Sequence, residues 1–194
     1  MMIKNQSALS TTRLKLVPLG PEHREFTMQL DMNPEVMKYV AFGRPFTREE
    51  AIQVHDWLLN SATSIPGLGT WVGFANGEFV GWWILAAIPS KENPEIFIAN
   101  KTEYGFRLLP KFWGQGYAKE GAREMVRHAF QDLGMTEVIG ETMAINQACR
   151  AVMAACGLKH VNTFFNKYDT PPPGIEEGEV RYSIAKEEWL ALGS

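Results

Sequence analysis

The stretch that most constrains the fold of this chain runs from Glu103 to Phe130. It begins as an alternating, strand-like run, passes through a turn that holds Gly114 and Gly116, and continues as an amphipathic helical pattern. Glycines at this spacing let the backbone pass close to a ligand, and the free N–H groups at a helix start favour a phosphate there. The stretch predicts a strand, a turn and a helix around a pyrophosphate, although similar turns also occur where nothing binds.

Two common nucleotide motifs do not fit this turn. No third glycine follows Gly116 at the spacing of a Rossmann fold, and no Gly-Lys-Ser/Thr sequence is present for a P-loop. A nicotinamide or ATP site is therefore not expected. The four histidines are scattered, without a cysteine or carboxylate cluster at metal-ligand spacing, so no metal site is expected either.

Length and composition favour a soluble globular protein. The 194 residues suffice for one domain, 1–194, that buries roughly 70% of its unfolded surface. The hydrophobic content of 45% and the charged content of 21% are ordinary, and a net charge of -3 gives no electrostatic reason to bind nucleic acid. Half of residues 1–10 are polar, and we expect this segment to be mobile.

The apolar pattern and the cysteines indicate where in the cell the protein is expected. The longest apolar run, 79–88, is about half the length that a membrane span requires, and the N-terminal residues lack the apolar core of a signal peptide. Cys149 and Cys156 lie too far apart along a predicted helix for a disulfide and are expected to be reduced thiols. We therefore expect a cytoplasmic protein without a membrane partner.

The first half of the chain mixes strands with short helices. A strand is predicted from Arg13 to Leu19, and Asn76-Gly77 between two apolar runs predicts a β hairpin. Three helices are predicted to start at Pro21, at Pro34 and after the capping box Thr47–Glu50. Loops are expected at 61–69 and 89–102, the second with a short extended piece at 96–98.

The second half alternates strands and helices. The strand after Glu103 is predicted to contain a bulge at Gly105, and Gly134 ends the helix that follows. Asn146 caps the next helix, which ends at Gly157. Three further strands and a short final helix are predicted at 137–143, 161–168, 180–184 and 186–192. This order predicts a mixed α/β sheet with helices on both faces.

Two motifs and the order of elements resemble the GNAT superfamily of acetyl-CoA-dependent N-acetyltransferases. The acyl-CoA motif of that superfamily is Gln/Arg-x-x-Gly-x-Gly/Ala, and Lys111, Gly114 and Gly116 occupy its fixed positions. The run from Asn146 to Cys149, followed by Gly-Leu at 157–158, is similar to the subgroup that includes ribosomal-protein N-terminal acetyltransferases. The resemblance covers nearly the whole chain and implies a mostly antiparallel central sheet.

The resemblance also implies where acetyl-CoA, the acyl donor, would bind. The pantetheine arm would lie along the backbone of Phe106, Arg107 and Leu108 and would contact Asn146, for which a plain helix cap is equally compatible with the sequence. The pyrophosphate would be bound by N–H groups of the turn, which comprises Lys111, Gly114, Gln115, Gly116, Tyr117 and Ala118.

Three positions depart from the superfamily pattern. Lys111 keeps the charge of the usual arginine but lacks its planar fork. Cys149 replaces a common serine, and a thiol is a poor hydrogen-bond donor. Met153 stands where many members carry a tyrosine that protonates the leaving thiolate. The proton would then come from water, from another group or weakly from Cys149, which we do not expect to be a nucleophile because no neighbouring base supports it.

The resemblance makes Glu103 the first candidate for the base that takes the proton of the acceptor amine, and Glu141 the second. Either carboxylate could instead be solvated or ion-paired. The demand on a base is modest for an α-amine, of which roughly one in ten is already neutral at pH 7. The acceptor pocket could be lined by the aromatic side chains of Trp82, Trp83 and Phe97, although aromatic residues of a hairpin usually belong to the core. A cationic amine could be attracted by Glu176, Glu177 and Glu179 in the proline-rich loop, although carboxylates in a loop are more often simply solvated.

The sequence thus predicts an N-acetyltransferase that moves the acetyl group of acetyl-CoA to a primary amine by direct attack in a ternary complex. The acceptor could be a protein N-terminus, an antibiotic, a polyamine or a small metabolite, and a homodimer is left open. The alternative is a non-catalytic GNAT-like module that binds acyl-CoA or another protein. The missing tyrosine favours that alternative, whereas the intact turn and Asn146 favour the enzyme.

Overall fold

The computed structural model describes residues 6–61 and 65–193. These residues form an eight-stranded sheet with the order β1-β2-β3-β4-β5-β6-β8-β7. The strands are β1 (Leu9–Ser10), β2 (Lys15–Pro18), β3 (Gly69–Ala75), β4 (Glu78–Pro89), β5 (Phe97–Leu108), β6 (Glu137–Met143), β7 (Lys159–Phe164) and β8 (Glu179–Ala185). The α-helices are α1 (Arg24–Asp31), α2 (Pro34–Met37), α3 (Arg48–Ser61), α4 (Tyr117–Arg127), α5 (Gln147–Ala155) and α6 (Lys186–Ala191).

Strand β4 serves two hydrophobic cores, because the side chains of neighbouring strand residues point to opposite faces. Trp82 packs in one cluster with Leu30 of α1 and Leu58 of α3. Trp83 packs on the other face, in a larger cluster that contains Met125 of α4 and Trp189 of α6. Helices therefore cover both faces, and the predicted GNAT-like fold class, a mixed and mostly antiparallel sheet between helices, is confirmed.

The sheet opens between β5 and β6, its one parallel pair of strands. Only three residues of β5 pair with β6, the last being Glu103 opposite Ile139. Beyond that point β5 continues to Leu108 paired with β4 alone, and β6 continues to Met143 paired with β8. The two strands therefore separate after Glu103, and the wedge between them exposes one backbone edge of β5.

Local sequence signals correctly predict several elements. The capping box at the start of α3 is present, with the Thr47 N–H donating to Glu50 Oε2 at 2.8 Å and the Glu50 N–H donating to Thr47 Oγ1 at 3.2 Å. Asn76 and Gly77 join β3 to β4 with φ of 50° and 81°, left-handed values that suit an Asn-Gly hairpin turn.

Strand β5 differs from its prediction in two ways. It begins at Phe97, inside the predicted loop 89–102, because the end of β4 pairs with it there. The predicted bulge at Gly105 is wrong, since this residue lies opposite Ile84 in regular register. The irregularity of this strand pair lies instead between Ala87 and Pro89. Long-range pairing thus overrides the weak strand propensity of the polar residues that precede Glu103.

The structure also differs from the prediction at the first strand and at β7. Residues 1–5 lie outside the described residues, but Leu9–Ser10, within the segment expected to be mobile, form the edge strand β1. The indole N–H of Trp71 donates to the Ser7 carbonyl at 2.9 Å and fixes this segment to the sheet. Near the other end, β7 begins and ends earlier than the predicted strand 161–168. The predicted loop 61–69 lies partly outside the described residues.

Candidate active site

The wedge between β5 and β6 opens into a cleft of about 460 Å³ that continues between α4 and α5. Seven of the predicted cofactor-binding residues line it: Phe106, Arg107, Leu108, Gly114, Gly116, Ala118 and Asn146. Val152 and Ala155 of α5 form the opposite wall. The cleft thus brings together the strand edge and the glycine turn that the sequence placed in one site.

The glycine turn presents a row of N–H groups at the mouth of this cleft. Gly114 and Gly116 have φ of 71° and 86°, in the left-handed region that glycine adopts without strain. Among the described residues, the backbone N–H groups of residues 114–119 donate to no acceptor. These residues precede α4 or form its first turn. Unbonded N–H groups at a helix start suit a phosphate.

Arg13 holds this turn from the other end of the chain. Its Nη1 donates to the Gln115 carbonyl at 2.9 Å, and its Nε contacts Glu120 Oε2 of α4 at 2.6 Å. Its guanidinium also lies 4.3 Å from the ring centroid of Tyr117. No local sequence pattern indicated this role, because the contact joins residues about a hundred positions apart.

Three of the predicted cofactor-binding side chains do not line the cleft. The Lys111 ammonium pairs with Glu78, on the hairpin side of the turn. The Gln115 amide donates to the Lys111 carbonyl at 2.7 Å, and the Tyr117 ring packs against Phe112. The charge of Lys111 is therefore used within the protein, and these residues remain predicted contacts through their backbone only.

Asn146 joins the end of β6 to the start of α5. Its Oδ1 accepts from the Cys149 N–H at 3.2 Å, and its Nδ2 donates to Thr142 Oγ1 at 3.0 Å. The helix-cap role is thus confirmed. Because Asn146 also lines the cleft, its contact with pantetheine remains a compatible prediction.

A second cavity, of about 320 Å³, lies on the other side of the wedge. It shares five lining residues with the cleft, so the two spaces join: Tyr39, Val40, Phe106, Asn146 and Cys149. Its remaining lining includes both candidate bases and Trp82. We call this space the acceptor cavity, since a second substrate entering it would meet the end of the cleft.

Glu103 carries the most perturbed carboxylate of the acceptor cavity. The pKa of Glu103 is raised to about 7: burial is the largest cause, the neighbouring charge of Glu141 acts in the same direction, and Arg181 opposes both. Glu141 is bound to Arg181, with Oε1 at 2.5 Å from Nε. Glu141 is therefore the ion-paired carboxylate and Glu103 the unpaired one, with a pKa suited to general-base chemistry near neutral pH.

Cys149 lies where the cleft and the acceptor cavity meet. Burial raises the pKa of its thiol to about 11, while a hydrogen bond with Thr142 acts in the opposite direction. The thiol is therefore neutral near pH 7 and is not activated as a nucleophile. Met153, at 1% exposure, belongs to the core beside it.

Replacing Cys149 with serine should retain or raise kcat, because a hydroxyl is the better hydrogen-bond donor at this junction. Coenzyme A release under saturating acetyl-CoA measures the effect. Cys156→Ser is the matched control, since this buried thiol lies outside both spaces and should change stability without changing kcat. A folded Cys149→Ser protein without turnover would show that the thiol itself is needed.

The other residues predicted for the acceptor site lie in different parts of the structure. Trp82 lines the acceptor cavity, whereas Trp83 lies in the core and Phe97 stands at the distant start of β5. Of the three loop carboxylates, Glu179 lines the cavity, where it accepts hydrogen bonds from Tyr168 and Asn166. Glu176 and Glu177 do not line it. Among the described residues there is no potential metal-binding cluster and no helix able to span a membrane.

The comparisons with known proteins agree with this geometry. A profile of the acetyltransferase (GNAT) domain matches residues 13–159. An Aspergillus fumigatus protein named FsC-acetyl coenzyme A-N(2)-transacetylase is 76% identical over 192 residues, which are 99% of this chain and 82% of that protein.

Solved structures match the fold at low identity. RimL, a ribosomal-protein alpha-N-acetyltransferase solved with coenzyme A, superposes with a TM-score of 0.74 at 16% identity, over 92% of this chain and 98% of its own. A spermidine N-acetyltransferase from Vibrio cholerae, solved with coenzyme A and spermine, gives a TM-score of 0.72 at 15% identity, over 93% and 99%. At these identities the likeness supports the fold alone.

Proposed function

Because this chain belongs to the GNAT acetyltransferase family, we propose that it acts as one catalytic domain, 1–194, with Glu103 as the base and a small-molecule amine as the acceptor. The chain is an acetyl-CoA-dependent N-acetyltransferase. The name of its 76% identical relative gives N(2) as the acetylated nitrogen, the usual locant for the α-nitrogen of an amino acid. An α-amine is accordingly the proposed acceptor group.

The position of Glu103 carries the proposal. This residue is the last of β5 to pair with β6, so its carboxylate stands at the point where the wedge opens. It lines the acceptor cavity, and Cys149 lines both this cavity and the cleft on the other side of the wedge. An amine beside Glu103 would therefore face a thioester that reached Cys149 along the strand edge.

Different residues of the chain would bind the donor and act on the acceptor. The N–H groups of residues 114–119 would bind the pyrophosphate, and the free edge of β5 would bind the pantetheine amides. Glu103 would take one proton of the ammonium, after which the neutral nitrogen attacks the thioester carbonyl. The C–S bond then breaks, and the acetylated nitrogen releases its second proton to water. The thiolate would gain its proton from water, because a Cys149 thiol with a pKa of about 11 is a weaker acid than an ordinary thiol.

The assay that tests this function is coenzyme A release with a panel of amines. Amino-acid amides, a peptide with a free N-terminus, spermidine and an aminoglycoside represent the acceptor classes. Highest turnover with an α-amine of a small molecule supports the proposal, and the position of the acetyl group on the product identifies the nitrogen. Highest turnover with the peptide or with spermidine would replace the proposed acceptor by that class.

The pH profile should report the charges around Glu103. The base must be deprotonated, so kcat/KM should rise with pH through about 7, the pKa of Glu103. Arg181→Gln removes the positive charge that lowers this pKa, so the rise of kcat/KM should move to higher pH. Glu141→Gln removes the negative charge that raises this pKa, so the rise of kcat/KM should move to lower pH. Shifts in the same direction would remove Glu103 as the titrating group.

We also propose a cytoplasmic location, where acetyl-CoA is available and thiols stay reduced, as both cysteines are here. Nucleic acid and membranes are not proposed as partners. A homodimer stays open, and sedimentation of the purified protein at several concentrations decides between monomer and dimer.

A further inference from the structure

One wall of the acceptor cavity is formed by a short segment that follows α2, and we call its residues 39–43 the strap. Three consecutive residues of the strap line the cavity: Tyr39, Val40 and Ala41. The first two also line the cleft, so the strap lies at the junction of the two spaces. Buried residues hold both of its ends, because Met37 precedes the strap and Phe46, at 9% exposure, follows it.

The strap touches a loop that comes from a distant part of the chain. A Cβ placed on Gly43 would lie 2.8 Å from Cδ of Pro173 and 3.2 Å from Cβ of Pro172. Only glycine allows so close an approach, and the φ of 68° at this residue also suits glycine. The loop 169–178 that carries these prolines, here called the proline loop, leads directly into Glu179 of the cavity wall.

Of these two segments, the strap is the more weakly held. Among the described residues, the backbone of 41–43 takes part in one hydrogen bond, from the Gly43 N–H to the Val40 carbonyl at 2.9 Å, which lies within the strap itself. Phe42 is 44% exposed, and Ala41 has a φ of 50°, a left-handed value that is strained for alanine. A segment that has internal strain and no backbone bond to its surroundings can leave its position at a low cost in free energy.

The proline loop is held in place more firmly. Its three consecutive prolines, 171–173, restrict the backbone because proline fixes φ. Pro172 is buried, and its carbonyl accepts from the Ile175 N–H at 3.2 Å. Gly174 lies so close to Ile145 that an added Cβ would be 2.2 Å from Cδ1 of that side chain. The proline loop is therefore the fixed partner of the contact, and the strap is the part that can move.

We propose that the strap is a gate for the acceptor cavity. The gate is closed while the strap rests on Pro172 and Pro173. It opens when the strap leaves them, which admits the acceptor and releases the acetylated product. Because the strap also lines the junction with the cleft, its closure would exclude water from the reacting groups. This inference rests on the proposed function, since it concerns how the acceptor of that reaction enters.

A disulfide that holds the gate closed is the first test. In Gly43→Cys/Pro172→Cys the two Cβ atoms would lie 3.2 Å apart, close to the roughly 3.5–4.5 Å of a disulfide. We expect the oxidised variant to acetylate glycinamide and spermidine at least about tenfold more slowly than its reduced form, because the acceptor cannot enter. The product is measured by mass spectrometry, which tolerates the reductant. Calorimetry should find an acetyl-CoA affinity within about threefold of that of the wild-type protein.

The single variants Gly43→Cys and Pro172→Cys are the matched controls, since neither can form the link. Each should keep the same rate with and without oxidant. Undiminished turnover by the linked protein would overturn the gate. A loss that the reductant does not reverse, or one that appears equally in a single variant, would overturn it as well, because the effect would then belong to the substituted residues.

Cys149 provides a second test that needs no acceptor, because it lines both spaces. Iodoacetamide modifies its thiol, and peptide mass spectrometry measures the rate while dethio-coenzyme A occupies the cleft. In Gly43→Ala the added Cβ would meet the proline rings and hold the strap away from them, so alkylation should be at least about threefold faster. Gly134→Ala is the control, since this glycine also has a positive φ but a Cβ there meets nothing within 4 Å. Equal rates in Gly43→Ala and the wild-type protein would contradict a gate at this contact.

The two kinds of failure remain distinct. If no amine of the panel is acetylated but Gly43→Ala speeds the alkylation of Cys149, the proposed function fails while the movement of the strap is still shown. If amines are acetylated and the disulfide leaves their turnover unchanged, only the gate fails.

Discussion

Glu103→Gln should lower kcat by roughly 10²- to 10⁴-fold while leaving the affinity for acetyl-CoA almost unchanged. The amide keeps the shape of the carboxylate but cannot take a proton, so only the step that deprotonates the amine is impaired. Raising the pH should partly restore the rate, because the substrate then loses its proton without help. Steady-state kinetics from pH 6 to 10, together with calorimetry of acetyl-CoA binding, measure both effects.

The same substitution should stabilise the protein at high pH. The pKa of Glu103 is raised from 4.5 to about 7 in the folded state, so the unfolded chain releases this proton first. The wild-type protein therefore loses stability as the pH rises from about 4.5 to about 7, by roughly 3 kcal/mol in all. A neutral glutamine avoids this loss, so the variant should gain up to that amount at pH 8 and little at pH 4.5.

Urea unfolding at the two pH values measures the gain. Glu176→Gln is the matched control, since this carboxylate is exposed and lies outside both spaces. Slower turnover combined with higher stability at pH 8 would identify Glu103 as a residue kept for function. If kcat stays within a few-fold, Glu103 is structural, and the base is Glu141, a water relay or the neutral fraction of the substrate alone.

The sequence predicted those parts of the site that depend on local signals. The turn at Gly114 and Gly116 and the cap at Asn146 are encoded within a few residues of the chain, and both were found as predicted. Glu103 was predicted by resemblance, and its position at the opening of the wedge gives that choice a structural reason.

What the sequence could not predict depends on residues that are distant along the chain. The early start of β5 follows from its pairing with β4, and the regular backbone at Gly105 follows from the same pairing. Arg13 reaches the glycine turn, and Arg181 forms an ion pair with Glu141, through contacts that no spacing reveals. Long-range packing of this kind has no period in the sequence.

Gly116→Val should abolish acetyl-CoA binding and leave the fold intact. Gly116 has a φ of 86°, which a β-branched residue adopts only with strain of about 1–3 kcal/mol. A Cβ added there would also lie 3.3 Å from Nη2 of Arg13, the side chain that holds the turn. We expect the branched methyl groups to enter the space in front of the N–H groups. Strain, a displaced Arg13 and lost room for the phosphates all act against binding.

The measurement is thermal stabilisation by acetyl-CoA, which at about 100 times Kd should be worth about 2.7 kcal/mol in the wild-type protein and close to nothing in the variant. Gly134→Val is the control that distinguishes the effect of backbone strain from the effect of blocking the binding turn. Gly134 also has a positive φ, 70°, but a Cβ there meets nothing within 4 Å, and the residue lies outside both spaces. It should lose stability to a similar extent and keep its full response to acetyl-CoA.

Gly116→Asn should lose binding with less loss of stability, because asparagine tolerates the left-handed region. Normal acetyl-CoA binding by a folded Gly116→Val protein would contradict the assignment of this turn to the pyrophosphate.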